Sequence, residues 1–285
     1  MSKVAIVTDS SAYIPANLLQ GMPIFTIPLH ITWDGKNYLD NVDLSPDEFY
    51  PRLQTSSTMP KTSQTTPAEF TTLYRSLLEK GYDILGIHLS SRLSGTFDSA
   101  RQAKNMLTGA NIELVDSETA AMALGFHVLS AASASLQGAD LHECKELAEK
   151  ARYHSSTFFI PGTLEYLRRG GRIGGAAAFL GSIMQFKPIL EPRNGLVEAV
   201  ERVRTMNRAI EQMIEIIEKR VGDMKPIHLA AMHTLLPDKA AEILAATRQK
   251  LGIERIIESV ITTISPALGT HIGPGAVGLA YLAGI

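Results

Sequence analysis

The first half of the chain alternates short apolar runs with amphipathic segments. Lys3–Val7 reads as a buried parallel strand, and it ends in the polar cluster Thr8-Asp9-Ser10-Ser11. A second apolar segment, Pro23–Trp33, stops at the turn signal Asp34-Gly35. Ser45-Pro46-Asp47-Glu48 places a cap, a first-turn proline and acids at the start of a helix. Thr66-Pro67-Ala68-Glu69 repeats that grammar as a capping box, and its helix should stop at Gly81. Tyr82–His88 is the next strand, followed by the loop Leu89–Gly95 and a helix from about Phe97 to Leu107. Asn111–Val115 is another strand, ending again in Asp-Ser at Asp116-Ser117. Two helices should follow, Ala120–Leu136 and Leu141–Tyr153, the second capped by Asp140. Strands and helices alternating in this way predict a parallel sheet covered on both faces.

The pattern changes after His154. Thr157–Ile160 reads as a strand and Leu164–Arg169 as a short helix stopped by Gly170-Gly171. A small-residue helix, Gly174–Met184, should come next, with Ala176-Ala177-Ala178 and Gly181 leaving room for a ligand chain or for close packing. Pro188–Leu190 and Leu196–Val203 flank Arg193-Asn194-Gly195 and suggest an antiparallel hairpin. A helix (Met206–Val221), a strand (Ile227–Met232), a helix (Asp238–Leu251), a strand (Ile256–Thr262) and a final helix after Gly275 would complete the chain. The expected architecture is therefore α/β in two domains. Residues 1–154 would form a mainly parallel sheet with helices on both faces, and 155–285 an α/β domain with a mixed sheet.

Composition narrows the class. At 285 residues with 45% hydrophobic content the chain can bury substantial cores. A net charge of −2 supplies no general attraction to nucleic acid or to an anionic membrane. The start Met1-Ser2-Lys3 lacks the grammar of a signal peptide, and no apolar run approaches the ~20 residues of a membrane span. A single cysteine, Cys144, rules out an intrachain disulfide and points to a reducing, cytoplasmic setting.

In an open parallel sheet, ligands bind beyond the carboxyl ends of the strands. The richest such end here is Ser90–Thr96, with three serines, Gly95 to let backbone approach a ligand, and the start of a helix behind it. Helix capping by Ser94 or Thr96 is the competing reading of the same residues. Thr62-Ser63-Gln64-Thr65-Thr66 is a second hydroxyl run, equally open to being a flexible capped loop. His271, placed before the predicted last helix, could donate to an anion or serve only structurally. Gly273–Gly278 formally matches G-x-G-x-x-G, but it lacks the strand before it and the acidic residue about 20 positions on, so a dinucleotide site is rejected. No Walker motif, G-x-S-x-G elbow or metal-ligand histidine spacing occurs, and no metal or cofactor is expected. Arg168, Arg169 and Arg172 surround Gly170-Gly171, a cluster able to meet a phosphate or an acidic partner.

Taken in order, these pieces resemble the DegV family, whose better-understood members are the FakB fatty-acid-binding proteins of bacteria. The resemblance runs nearly end to end. It covers Thr8-Asp9-Ser10, Thr62-Ser63-Gln64, Ser90-Ser91 with Leu93-Ser94-Gly95-Thr96, and Asp116-Ser117. It continues through Leu164–Leu167 with Gly170–Gly174, Lys187-Pro188, Arg202-Val203-Arg204, and His271 with Gly273-Pro274-Gly275. Thr65-Thr66 departs from the Pro-Ser often found there but keeps the capping hydroxyl. The resemblance implies a carrier that acts with a partner. A long-chain fatty acid's carboxylate would be held by Thr62 and Ser94, with Ser63, the Gly95 backbone and His271 nearby, and its tail buried chiefly in the second domain. Arg172, with Arg202 and Arg204, would orient the head group or dock a fatty acid kinase of the FakA type. That kinase makes an acyl phosphate for phospholipid synthesis, with transient contact to membrane enzymes. The alternative is an enzyme, a serine hydrolase or phosphotransferase using Ser94 with His271 as base.

Overall fold

The computed structural model describes residues 3–179 and 186–285. Three sheets organise the chain. The first takes strands β1 (Lys3–Asp9) and β2 (Ile24–Ile27), and the small second sheet takes β3 (His30–Trp33), β4 (Lys36–Leu39) and β5 (Lys61–Ser63). Strands β6 (Tyr82–His88) and β7 (Ile112–Asp116) complete the first sheet in the order β2-β1-β6-β7, with every pairing parallel. The third sheet comprises β8 (Ser155–Ile160), β9 (Lys187–Arg193), β10 (Leu196–Val203), β11 (Ile227–His233), β12 (Ile256–Thr263) and β13 (Val277–Ala283). Its order is β10-β9-β8-β13-β11-β12, antiparallel except for β11 beside β12. The expected α/β class, with a parallel sheet first and a mixed sheet second, is the observed one.

Side-chain alternation explains the layers. Ala5, Val7 and Ile84 of the parallel sheet pack on Phe70, Tyr74 and Leu77 of the Pro67–Glu79 helix and on Ala100 and Ala103 of the Thr96–Met106 helix. On the opposite face Val4, Ile6, Leu85 and Ile87 meet Leu124, Val128, Ala131 and Ala132 of the Ala121–Leu136 helix. The other side of that helix, through Met122, Phe126 and Leu129, joins Ala230, Met232, Ala280 and Leu282 of the mixed sheet. It is apolar around its circumference because both faces are covered, and so it is a central layer between two sheets. The far face of the mixed sheet, with Phe158, Ile160, Leu229 and Leu279, lies under the helices Met206–Val221 and Pro237–Leu251. Three capping boxes, Ser45 with Glu48, Thr66 with Glu69 and Asp140 with Glu143, start helices where the sequence placed them.

Several expectations need correction. No helix follows Gly275. The helix there is Pro266–Ile272, so His271 lies in its last turn, and Val277–Ala283 is a strand in the interior of the mixed sheet. An apolar run buried on both faces reads alike as strand or helix, and the left-handed φ of +75° at Gly273 ends the helix before that run. Pro23–Trp33 is two strands in two sheets, because Pro28 between them has no amide hydrogen for a ladder. The hydroxyl run at 62–63 belongs to a strand, with Thr62 opposite Ile31. The predicted Gly174–Met184 helix is a 3-10 helix over Gly174–Phe179, and its remainder, including Gly181, lies outside the described residues. The Asn194-Gly195 hairpin is present. Among the described residues no helix is long and apolar enough to cross a membrane.

Candidate functional site

A cavity of about 480 Å³ opens where the three sheets meet, within the range of small-molecule sites. Its polar end is built from separate parts of the chain. Strand β5 contributes Thr62 and Ser63 with the following Gln64, the loop after β6 contributes Ser94 and Gly95, and the Pro266–Ile272 helix contributes His271. Arg172 lies at the same wall. The remaining wall is mainly apolar and comes from both halves of the chain. Leu29, Leu89, Leu93, Ala120 and Ala121 precede residue 155, while Phe159, Leu167, Val197, Met232, Ile264 and Leu268 follow it. Five residues singled out as head-group contacts (Thr62, Ser63, Ser94, Gly95 and His271) therefore line one cavity with Arg172. Arg202 and Arg204 do not. They are exposed at the end of β10, with the Arg202 guanidinium 5.1 Å from the Phe186 ring centroid.

At the centre of the polar end, Thr62 Oγ1 and His271 Nε2 lie 2.7 Å apart. Burial, reinforced by the Arg172 guanidinium, pushes the imidazole down to about 4, so the ring is neutral at neutral pH. Its Nδ1 is buried without a partner. A neutral ring carrying its proton on Nε2 donates to Thr62 Oγ1 and leaves the threonine hydroxyl hydrogen available to an anion. Ser94 Oγ lies 2.9 Å from Thr96 Oγ1 and accepts weakly from the Thr96 amide at 3.3 Å. A hydroxyl hydrogen donated by the buried Thr96 would likewise free that of Ser94. Arg172 donates to the carbonyls of Leu93 (3.0 Å) and Gly170 (2.7 Å) and has no carboxylate partner among the described residues.

The structure reassigns the two glycines that motivated the reading of these loops. At Gly95 the close approach is made by Gln64: a Cβ there would fall 1.9 Å from its Oε1, and its Nε2 donates to Ser99 Oγ. At Gly170 a Cβ would fall 2.1 Å from His271 Nδ1, so this glycine makes room for the imidazole. Two other strand-end clusters serve to hold loops. Asp9 accepts from the Ser11 and Leu89 amides and faces His88 Nδ1, and Asp116 accepts from the Ser91 and Glu118 amides. Ser90, fully buried, donates to Gly195 O at 2.8 Å, and Arg92 donates to Asn194 O at 2.8 Å. The serine loop thereby grips the hairpin whose Pro192 and Val197 wall the cavity. Gly170 could be noticed in the sequence only as half of a glycine pair.

This arrangement defines a ligand-binding α/β protein whose cavity has hydroxyl, imidazole and guanidinium groups at one end and aliphatic walls elsewhere. The model of the family described as "Uncharacterised protein, DegV family" matches residues 3–284. The chain belongs to the DegV family. It is 33% identical over 282 residues to a DegV domain-containing protein of Clostridium perfringens, covering 98% of each. Among solved structures it is similar to a fatty-acid-binding DegV family protein from Thermus thermophilus, with a TM-score of 0.90, 30% identity and 99% of each chain covered. It is likewise similar to DegV, a fatty acid binding protein from Bacillus subtilis, with a TM-score of 0.89, 32% identity, and coverage of 99% of this chain and 100% of that one.

Proposed function

We propose that this protein is a fatty-acid carrier in which Thr62 and Ser94 clasp the carboxylate and the apolar cavity takes the tail. The observation that carries this reading is the polarity of this cavity, hydroxyls and a neutral histidine at one end and apolar side chains beyond. The fatty acids bound by its relatives from Thermus thermophilus and Bacillus subtilis support it. The energetics divide the labour. A sixteen-carbon tail at about 0.8 kcal/mol per methylene offers roughly 12 kcal/mol of gross transfer energy. A carboxylate leaving water needs donors in return, and Thr62, Ser94, the loop backbone at Gly95 and Arg172 can supply them. In this reading residues 1–154 carry the carboxylate loops, and 155–285 supply most of the tail's enclosure and His271.

The carrier presents its ligand to a fatty acid kinase of the FakA type, which phosphorylates the carboxylate for phospholipid synthesis. Support comes from the exposed arginines Arg168 and Arg169, both paired with Glu165 and adjacent in sequence to the cavity-lining Leu167; Arg202 and Arg204 are exposed at the far end of β10. The ligand requires no cofactor. The hydrolase alternative has less support. His271 bonds to Thr62 and not to Ser94, and its Nδ1 has no partner among the described residues to orient it, so the Ser94–His271 pair that reading needs is not formed. Native mass spectrometry of the purified protein should reveal a bound long-chain acid. Lipid-free protein that takes up no such acid would end the proposal. With ligand loaded, addition of the kinase and ATP should yield acyl phosphate, and less should form with the Ser94→Ala or Thr62→Ala protein; unchanged binding and phosphorylation would remove these residues from the site.

A further inference from the structure

Asp40 is a carboxylate with 1% exposure and, among the described residues, no lysine or arginine paired with it. Its neighbours are polar but not cationic: Asp9 and the phenols of Tyr13 and Tyr50. Burying an unpaired charge is costly, so its retention calls for a physical account. Its oxygens are fully engaged. Oδ2 accepts from Ser10 Oγ at 2.6 Å and from Ser265 Oγ at 2.7 Å, and Oδ1 accepts from the Ala267 amide at 3.0 Å. Ser265 is the N-cap of the Pro266–Ile272 helix, and its own side chain makes no capping bond. Asp40 therefore caps that helix from a distant part of the chain, satisfying a first-turn amide and placing a negative charge at the positive end of its dipole.

The same small sheet grips the helix a second time. Asp40 follows directly on β4 and Thr62 lies in β5, and these strands flank β3 on either side: His30 pairs with both Leu39 and Ser63. Ala267 and His271 are four residues apart, so they share one helix face about 6 Å apart along its axis. Asp40 holds the first and Thr62 meets the second. Further support comes from Tyr50, which donates to Ile264 O at 2.7 Å, and from Gly269, where a Cβ would fall 2.6 Å from that phenol oxygen.

We propose that Asp40 is a positioning residue for the head-group clasp: by tying the start of the 266–272 helix to the sheet that carries Thr62, it sets the Thr62–His271 separation that a bound carboxylate needs. This rests on the reading of the cavity as a fatty-acid site. Asp40 does not touch the ligand, and its effect is on head-group recognition and not on the tail.

The test compares palmitic acid with methyl palmitate, which keeps the tail and loses the anion. In the Asp40→Asn protein, affinity for the acid should fall about tenfold, the size of one weakened charge-assisted hydrogen bond, while affinity for the ester stays within about twofold. Ser265→Ala removes one of the two hydroxyls on Oδ2 and leaves the charge, and it should show the same selectivity with a loss of about threefold. Unchanged acid affinity in both variants overturns the proposal. Equal loss of acid and ester also overturns it, because a scaffold residue would act on both. Failure of the fatty-acid reading is separately visible: wild-type protein would then bind neither probe, or Thr62→Ala would leave acid binding intact.

Discussion

Gly170 and Gly171 are adjacent, and the structure assigns them different reasons for lacking a side chain. Gly170 has ordinary helical angles, φ −74° and ψ −8°, so alanine there strains no backbone. The new methyl would lie 2.1 Å from His271 Nδ1 and 2.9 Å from Cε1, where ordinary contact begins at 3.4 Å. The ring must therefore clear 3.4 − 2.1 = 1.3 Å. It cannot retreat in line, because Thr62 Oγ1 stands 2.7 Å from Nε2 on its other side. The imidazole must swing out of the Thr62 bond. Overpacking of this kind costs about 1–3 kcal/mol of stability, and the lost neutral hydrogen bond about 1 kcal/mol more. A carboxylate deprived of an oriented Thr62 hydroxyl loses roughly 1.5–3 kcal/mol, about ten- to a hundredfold in Kd. At Gly171 the φ is +70° and nothing lies within 4 Å of a Cβ, so alanine costs only backbone strain of about 1–2 kcal/mol and leaves binding intact. Displacement of a fluorescent fatty acid, run beside calorimetric unfolding, reads both quantities for the two variants. A Gly170→Ala protein that binds long-chain acids as tightly as Gly171→Ala would refute the reasoning.

Other outcomes follow from the same geometry. Ser94→Ala should weaken acid binding about tenfold and leave the melting temperature nearly unchanged, since Ser94 is half-buried and bonds only locally; equal acid affinity by titration calorimetry would remove it from the clasp. Gly195→Ala meets both a φ of +79° and the Ser90 hydroxyl at 2.5 Å, so it should cost roughly 2–4 kcal/mol in urea unfolding and speed amide exchange along the β9–β10 hairpin; exchange confined to wild-type rates would contradict the grip. Acid should destabilise the protein. Burial holds His127 at about 3 and His271 at about 4, below the unfolded value of 6.5, so the stability they contribute is present above pH 6.5 and is lost as pH falls toward 4. Asp40, pushed up to about 6 by burial, acts in the opposite sense, adding stability as pH falls from 6 toward 3.8. Two histidines outweigh one aspartate, so unfolding free energy should decline between pH 6.5 and 4, and Asp40→Asn should steepen that decline; a flat profile by denaturant titration would count against these burials.

The periodicity of the chain determined the parallel strands β1, β6 and β7 and the main helices of the first half, because those strands are mostly buried apolar runs and three of the helices carry capping boxes. Ser45, Thr66 and Asp140 cap the helices they were expected to cap. The hydroxyl clusters at 62–63 and 90–96 were legible as candidate anion contacts from their composition, but the Asp9 and Asp116 clusters, which hold loops, carried much the same local signal. Tertiary structure decided the rest. Val277–Ala283 is apolar throughout, and only its neighbours β8 and β11 make it a strand. Thr62 and His271 are 209 positions apart, and no local pattern says that they meet. Asp40 has no amphipathic or motif context, and its meaning comes from a helix that begins 226 residues later, at Pro266. Local sequence encodes local hydrogen bonding and burial, whereas a clasp made by converging segments is set by how the three sheets and the helices between them pack.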